Sequence, residues 1–125
     1  MKAFLTGSKE HEWRWDLANF LLDRHIEVID PVECLCAFKH FTSLEGCDML
    51  IINLYGSQRS HLLPLLEMSY ASKLAKEVMI LHAIPHEDLL TFRFPYSKSF
   101  VNLQELKEYL SREFLANRSH FRMFG

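Results

Sequence analysis

The stretch from residue 47 to residue 81 constrains the fold of this chain more than any other. Residues 49–54 (MLIINL) form a largely apolar run of strand length, and residues 78–81 (VMIL) form another. Between them, a polar loop at 56–60 leads into a helical pattern of Leu63, Leu66, Tyr70 and Leu74. Parallel strands covered on both faces are apolar throughout, so the stretch predicts a strand, a crossover helix and a parallel strand.

Further strand and helix patterns flank this unit. The sequence predicts a strand at 2–6, a helix at 10–24 and a strand at 26–29. It also predicts a short helix within 32–47, a short edge strand at 91–94 and a last helix capped by Asn102 and Glu105. The alternation indicates one α/β domain over residues 1–125, with a three-layer sandwich and a mostly parallel sheet of about five strands, Rossmann or flavodoxin-like.

Composition excludes several classes of function. The net charge is -2 and the basic residues are scattered, which argues against a surface for duplex nucleic acid. No apolar run has the length of a membrane span and no signal-peptide pattern opens the chain, so we expect a cytoplasmic protein without a membrane partner. The three cysteines and seven histidines show no metal-binding spacing, and we expect neither a metal nor a cofactor.

Within the unit at 47–81, Glu67 is the residue whose position indicates a catalytic or ligand-binding role. With Ser60 as N-cap and Pro64 in the first turn, Glu67 is expected near the start of the helix and therefore near the carboxyl edge of the sheet. It shares the stripe of Leu63, Tyr70 and Leu74, which is expected to face the protein. Open α/β folds bind ligands at that edge. The alternative is a structural acidic residue, which favours the positive end of the helix dipole.

Two turns are expected at the same edge. The first strand ends at Thr6, Gly7 and Ser8, where backbone N–H groups before a helix could receive an anion; an ordinary turn is the alternative. In the loop at 56–60, the alternative is that Ser60 caps the helix while Arg59 and His61 are solvated. Asp48 opens the central strand, and a purely structural interpretation is that its side chain binds local backbone amides.

Several segments, taken in order, resemble the nucleoside 2-deoxyribosyltransferase family and its relatives, the deoxynucleoside monophosphate N-glycosidases. The segments are KAFLTGS, EWRWDLANFLLDRH, IEVIDP, CDMLIINL and LLEMSYASKLAKEVMIL, and the resemblance covers roughly the first 85 residues. In that family an Asp begins the central strand and an E-x-G-x-A-x-x-x-G-K-x-V helix supplies a nucleophilic glutamate. Glu67 is the matching residue, whereas Ser69 and Ala75 replace the two glycines and the approach to Glu67 is rich in leucine.

The resemblance implies cleavage or transfer of the N-glycosidic bond of a 2′-deoxynucleoside or its 5′-monophosphate. Glu67 would attack the sugar or stabilise its charge, and His61 would help the base to leave. It also implies a homo-oligomer, because relatives complete their sites across subunits. The substrate pocket is then expected to be formed by Thr6, Gly7, Ser8, Trp13, Asp48, Gly56, Ser57, Arg59 and Ser60.

Two other functions remain open on the sequence. One is a catalytically inactive relative that binds a nucleotide or nucleotide-derived ligand, which the leucine-rich approach to Glu67 favours. The other is a homo-oligomeric interaction protein, which the apolar residues of the tail at 117–125 favour.

Overall fold

The computed structural model describes residues 1–7, 11–30, 37–55, 62–82 and 98–115. The strands are β1 (Lys2–Gly7), β2 (Glu27–Ile29), β3 (Met49–Asn53), β4 (Glu77–Leu81) and β5 (Lys98–Phe100). The helices are α1 (His11–Leu22), α2 (Ala37–Glu45), α3 (Leu62–Lys73) and α4 (Leu103–Leu110), and a π-helical turn at Ser111–Leu115 follows α4.

All neighbouring strands are parallel, and their order is β2-β1-β3-β4-β5. This is the flavodoxin-like order, in which the chain adds strands first on one side of β1 and then on the other. The predicted fold class, an α/β sandwich with a parallel sheet, is confirmed. The topological switch point lies between β1 and β3, where Gly7 pairs with Asn53.

The core has two parts, one on each face of the sheet. On one face Leu5 and Ile51 pack with Leu17 and Leu21 of α1 and with α4. On the other face Phe4 and Leu50 belong to a second buried cluster. That cluster includes Leu44 of α2 and Met68 and Ala71 of α3. Adjacent residues of β1 therefore face different layers, as side chains of a strand must.

The buried face of α3 differs from the predicted stripe. Leu66 is 51% exposed and Leu74 is 40% exposed, whereas Glu67, Met68 and Ala71 are buried. Leu66 precedes Ala71 by five residues, which places it about 140° away around the helix. The prediction that Glu67 faces the protein is confirmed, and the prediction that Leu66 and Leu74 lie on the same inward stripe is wrong.

The carboxyl-terminal elements are in part as predicted. Asn102 caps α4, because its side-chain oxygen accepts a hydrogen bond of 2.9 Å from the Glu105 N–H. The Glu105 carboxylate accepts one from Val101 N at 3.2 Å, so the reciprocal bond falls one residue before the cap. The three-residue strand β5 was not predicted, since it is too short to show alternation. The predicted strand at 91–94 and the tail at 117–125 lie outside the described residues.

Candidate functional site at the carboxyl edge of β1

Gly7 ends β1 in direct contact with the end of β3. Its φ of +106° is a conformation that side chains other than glycine rarely adopt. A Cβ atom at this position would lie 2.1 Å from the carbonyl oxygen of Asn53. The missing side chain therefore lets the two strands meet closely at the switch point, where folds of this order bind their ligands.

Glu67 reaches this point from α3. Its side chain is fully buried, with 0% exposed, and its Oε1 accepts a hydrogen bond of 2.8 Å from the hydroxyl of Thr6. Thr6 follows Phe4 by two residues, so both side chains face the α3 layer. Glu67 is the sixth of the twelve residues of α3, so it lies in the middle of the helix and not near its start as predicted, and the bond ties it to the carboxyl end of β1.

Arg14 reaches the same point from α1, on the other face of the sheet. It is only 4% exposed, and its Nη2 donates a hydrogen bond of 3.3 Å to the carbonyl oxygen of Gly7. Its Nη1 donates to Oδ1 of Asp30, just after β2, and forms an ion pair with it. Burial lowers the pKa of Arg14, while the carboxylates of Asp30 and Glu67 act to raise it.

Sequence reasoning missed Arg14, although a signal was present. Arg14, Leu17 and Leu21 recur at spacings of three and four, so Arg14 lies on the stripe of α1 that packs on the sheet. A charged residue at the amino-terminal end of an apolar stripe is placed to reach the carboxyl edge. Asp30, which directly follows β2, reaches the same edge.

The ends of β3 and β4 add two buried polar side chains, Asn53 and His82. The Asn53 side-chain oxygen accepts a hydrogen bond of 2.9 Å from the backbone N–H of Tyr55. The backbone N–H of His82 donates to Phe100 O at 3.0 Å, and the Tyr55 hydroxyl donates to Val101 O. These bonds join the carboxyl ends of β3, β4 and β5.

Of the predicted site residues, the structure brings Thr6, Gly7 and Glu67 together. Trp13 is half-buried against the core on the α1 face of the sheet, with the Arg14 guanidinium carbon 4.9 Å from the centre of a Trp13 ring. The other predicted residues lie outside the described ranges and remain predictions: Ser8, Gly56, Ser57, Arg59, Ser60 and His61.

Asp48 requires a correction. It precedes β3 at the amino edge of the sheet, opposite to the end that carries Glu67, and its Oδ2 accepts a hydrogen bond of 2.8 Å from the backbone N–H of Lys2. The prediction that Asp48 shapes the substrate pocket is wrong. The amide that it binds belongs to the neighbouring strand β1, 46 residues away in the sequence, so the predicted alternative of a local backbone contact is not observed in the described part of the chain either. An Asp at the start of a strand lies a full strand length from the carboxyl end.

Within the described ranges, no three His, Cys, Asp or Glu side chains are grouped so that they could hold a metal ion. Nor does any helix in that part of the chain have the length and apolar character to span a membrane. A separate groove of about 510 Å³ lies between α1 and α4, lined by Phe20, Arg24, Gln104, Lys107, Glu108, Ser111 and Arg112. It contains none of the described residues at the end of β1.

Comparison with known proteins gives a likeness of fold. No family model matches the sequence, and no curated protein matches it. Among solved structures, the chain is similar to the Clostridium botulinum CMP N-glycosidase BcmB, with a TM-score of 0.59 and 20% sequence identity. The match covers 89% of this chain and 99% of that one. At this identity the likeness shows a shared α/β fold, which agrees with the fold implied by the sequence resemblance.

Proposed function

We propose that this protein cleaves or transfers the N-glycosidic bond of a 2′-deoxynucleoside or its 5′-monophosphate, with Glu67 as the nucleophile. The observation that carries the proposal is the 2.8 Å hydrogen bond from Thr6 to Glu67. It holds a carboxylate at the topological switch point of the sheet, where ligands of this fold class bind. The sequence resemblance assigns the nucleophile to the same residue.

The chemistry follows from the carboxylate. A Glu67 oxygen attacks C1′ of the sugar as the C1′–N bond breaks, and the electron pair of that bond leaves with the base. The base takes a proton from a donor, which the resemblance places at His61. Water then hydrolyses the glycosyl ester, or an acceptor base replaces water and regenerates an N-glycosidic bond.

The structural neighbour supports the general class of reaction. BcmB is described as a CMP N-glycosidase, so its name supports N-glycosidic chemistry on a nucleotide. The preference for a 2′-deoxy sugar rests on the sequence resemblance alone. The cytoplasmic location and the homo-oligomeric state likewise remain predictions from the sequence.

A second candidate is a nucleotide-binding protein without turnover. It is favoured by the complete burial of Glu67, whose Oε1 is engaged by Thr6. A nucleophile must contact C1′, whereas a structural carboxylate at the floor of a binding site has no such requirement.

Release of free base separates the two candidates. The protein is incubated with CMP, deoxynucleosides and deoxynucleoside 5′-monophosphates, with and without an acceptor base, and the products are resolved by chromatography. We expect release by the natural protein, loss of release in Glu67→Gln, and exchange into the acceptor if the enzyme is a transferase. The matched control is Glu77→Gln, an exposed carboxylate at the amino end of β4, which we expect to leave release unchanged.

No release by the folded natural protein, together with a thermal shift on adding a nucleotide, would favour the binding protein. Release that persists unchanged in Glu67→Gln would contradict the role of Glu67 as nucleophile.

A further inference from the structure

Arg14 is a buried charged residue to which the proposed reaction assigns no role. Its guanidinium extends from the α1 layer to the end of β1, where it binds the Gly7 carbonyl and Asp30. Thr6, the residue before Gly7, binds the carboxylate of Glu67, and both Arg14 and Glu67 are buried. Two buried groups of opposite charge, from different helical layers, therefore bind consecutive residues at the end of one strand.

This arrangement offsets part of the free-energy cost of burying the ionised carboxylate of Glu67. Removal from water disfavours the ionised form of an acid, while a nearby cation or hydrogen-bond donor favours it. Thr6 supplies Glu67 with one neutral donor. Arg14 is a buried cation bonded to the residue that follows Thr6, and an arginine side chain stays protonated throughout the accessible pH range.

We propose that Arg14 is a positioning residue which keeps the Glu67 carboxylate ionised at the carboxyl edge, and that Asp30 and the Gly7 carbonyl hold Arg14 in place. Two acceptors fix the orientation of the planar guanidinium, which a flexible ammonium would not reproduce. The inference rests on the proposed function, because only an ionised Glu67 can attack C1′. Its test, however, does not require turnover.

Other charged and titratable groups near α3 are distributed differently. Asp30, 29% exposed at its side chain, opposes ionisation of Glu67 through its negative charge, yet it is engaged by Arg14. His82 ends β4, which is two strands away from β1. Glu45, Tyr70 and Lys76 interact with one another toward the amino edge, where α3 ends.

The decisive measurement is the ionisation of Glu67 in the whole protein. Glutamate labelled with ¹³C at the side-chain carboxyl is followed by NMR as the pH changes, and the Glu67 signal is assigned by its absence in Glu67→Gln. In the natural protein we expect the Glu67 carboxyl to be ionised at neutral pH despite full burial. A Glu67 carboxyl that is still protonated at about pH 7 would overturn the proposal, and this arm needs no variant of Arg14.

Substitution of Arg14 tests the source of the effect. We expect Arg14→Gln to raise the midpoint of the Glu67 titration by about one to three pH units, the usual effect of losing an adjacent cation. We expect a smaller rise in Arg14→Lys, which keeps the charge but not the orientation that Asp30 and the Gly7 carbonyl give to the guanidinium. The control is Arg24→Gln, just beyond the end of α1 and stacked on Phe20, which should not move the midpoint by more than a few tenths. An unchanged midpoint in folded Arg14→Gln would overturn the proposal.

Where base is released, its rate gives a second readout. We expect the acidic limb of the pH–rate profile to move upward in Arg14→Gln by the same interval as the NMR midpoint. If the protein releases no base from any substrate, the proposed function fails while the NMR result still decides the role of Arg14.

Discussion

At the scale of single residues, the end of β1 depends on one missing side chain and three polar ones. Gly7 permits the contact with β3, Thr6 orients Glu67, and Arg14 brings a positive charge. Two of these residues, Thr6 and Gly7, were predicted because a strand followed by a glycine turn is visible in the sequence. Arg14 was not, because its contacts depend on how α1 packs on the sheet.

Replacing Gly7 by alanine is expected to destabilise the protein by about 2 kcal/mol or more, because both the positive φ and the close approach to Asn53 are unfavourable for a Cβ atom. Denaturant unfolding measures the loss. Gly46→Ala is the matched control, since its nearest atom would be the Ser43 carbonyl oxygen at an ordinary 3.7 Å. Equal stability of the two variants would show that the contact at Gly7 relaxes freely.

Cys47 gives a prediction about alkaline pH. Burial raises the pKa of its thiol above the usual 9.0, although Lys2 and Lys76 act in the opposite direction. Above pH 9 the unfolded thiol therefore releases its proton while the folded thiol keeps it, so the free energy of unfolding falls until the folded pKa is passed. Unfolding measured from pH 8 to pH 11 should show a shallower decline in Cys47→Ala, with Tyr70 and Tyr109 contributing the remainder.

The two proteins are compared by the slope of the unfolding free energy against pH, because Cys47→Ala also removes buried volume and lowers stability at every pH. Parallel curves for the natural protein and the variant would contradict the assignment to Cys47.

At the scale of secondary-structure elements, α1 and α3 differ in how well the spacing of their apolar residues indicates which face is buried. In α1 the buried Leu17 and Leu21 follow a helical spacing in the sequence, although Trp15 and Leu22 are apolar residues exposed away from that face. In α3 leucines occur around much of the helix, so the apolar pattern does not single out one face. The packing of α3 on β3 and β4 decided which side is buried.

A pair of substitutions in α3 tests that choice. Met68→Ala should cost about 2 to 5 kcal/mol, as for other large-to-small changes in a core, whereas Leu66→Ala should cost less than about 1 kcal/mol. Both values come from denaturant unfolding under the same conditions. A larger cost for Leu66 than for Met68 would indicate that the originally predicted stripe is the buried one, or that Leu66 is covered by a partner subunit.

At the scale of the whole molecule, one sheet serves both halves of the core. Every residue of β3 is buried, and its side chains alternate between the two clusters. Loss of either helical layer would expose the strands that support the other. The prediction of one domain over residues 1–125 therefore has a direct consequence for unfolding.

We expect a single cooperative transition. Far-ultraviolet circular dichroism reports on all helices, while tryptophan fluorescence reports on Trp13 and Trp15 of α1 alone, and the two transitions should coincide. A Leu44→Ala substitution on the α2 side should shift both signals equally. If the fluorescence transition stayed fixed while the circular dichroism transition moved, the chain would contain two independently stable parts.

The sequence by itself determined the α/β class, the parallel central strands and the placement of Glu67 near a carboxyl edge. These follow from local patterns: apolar runs of strand length, helical spacing, and the restriction of proline to a first turn. Only the tertiary structure decided that Arg14 and Glu67 reach the same strand end and that Asp48 lies at the opposite edge. Such relations join residues from different layers and different strand ends, and they depend on strand order and helix packing, which no local pattern contains.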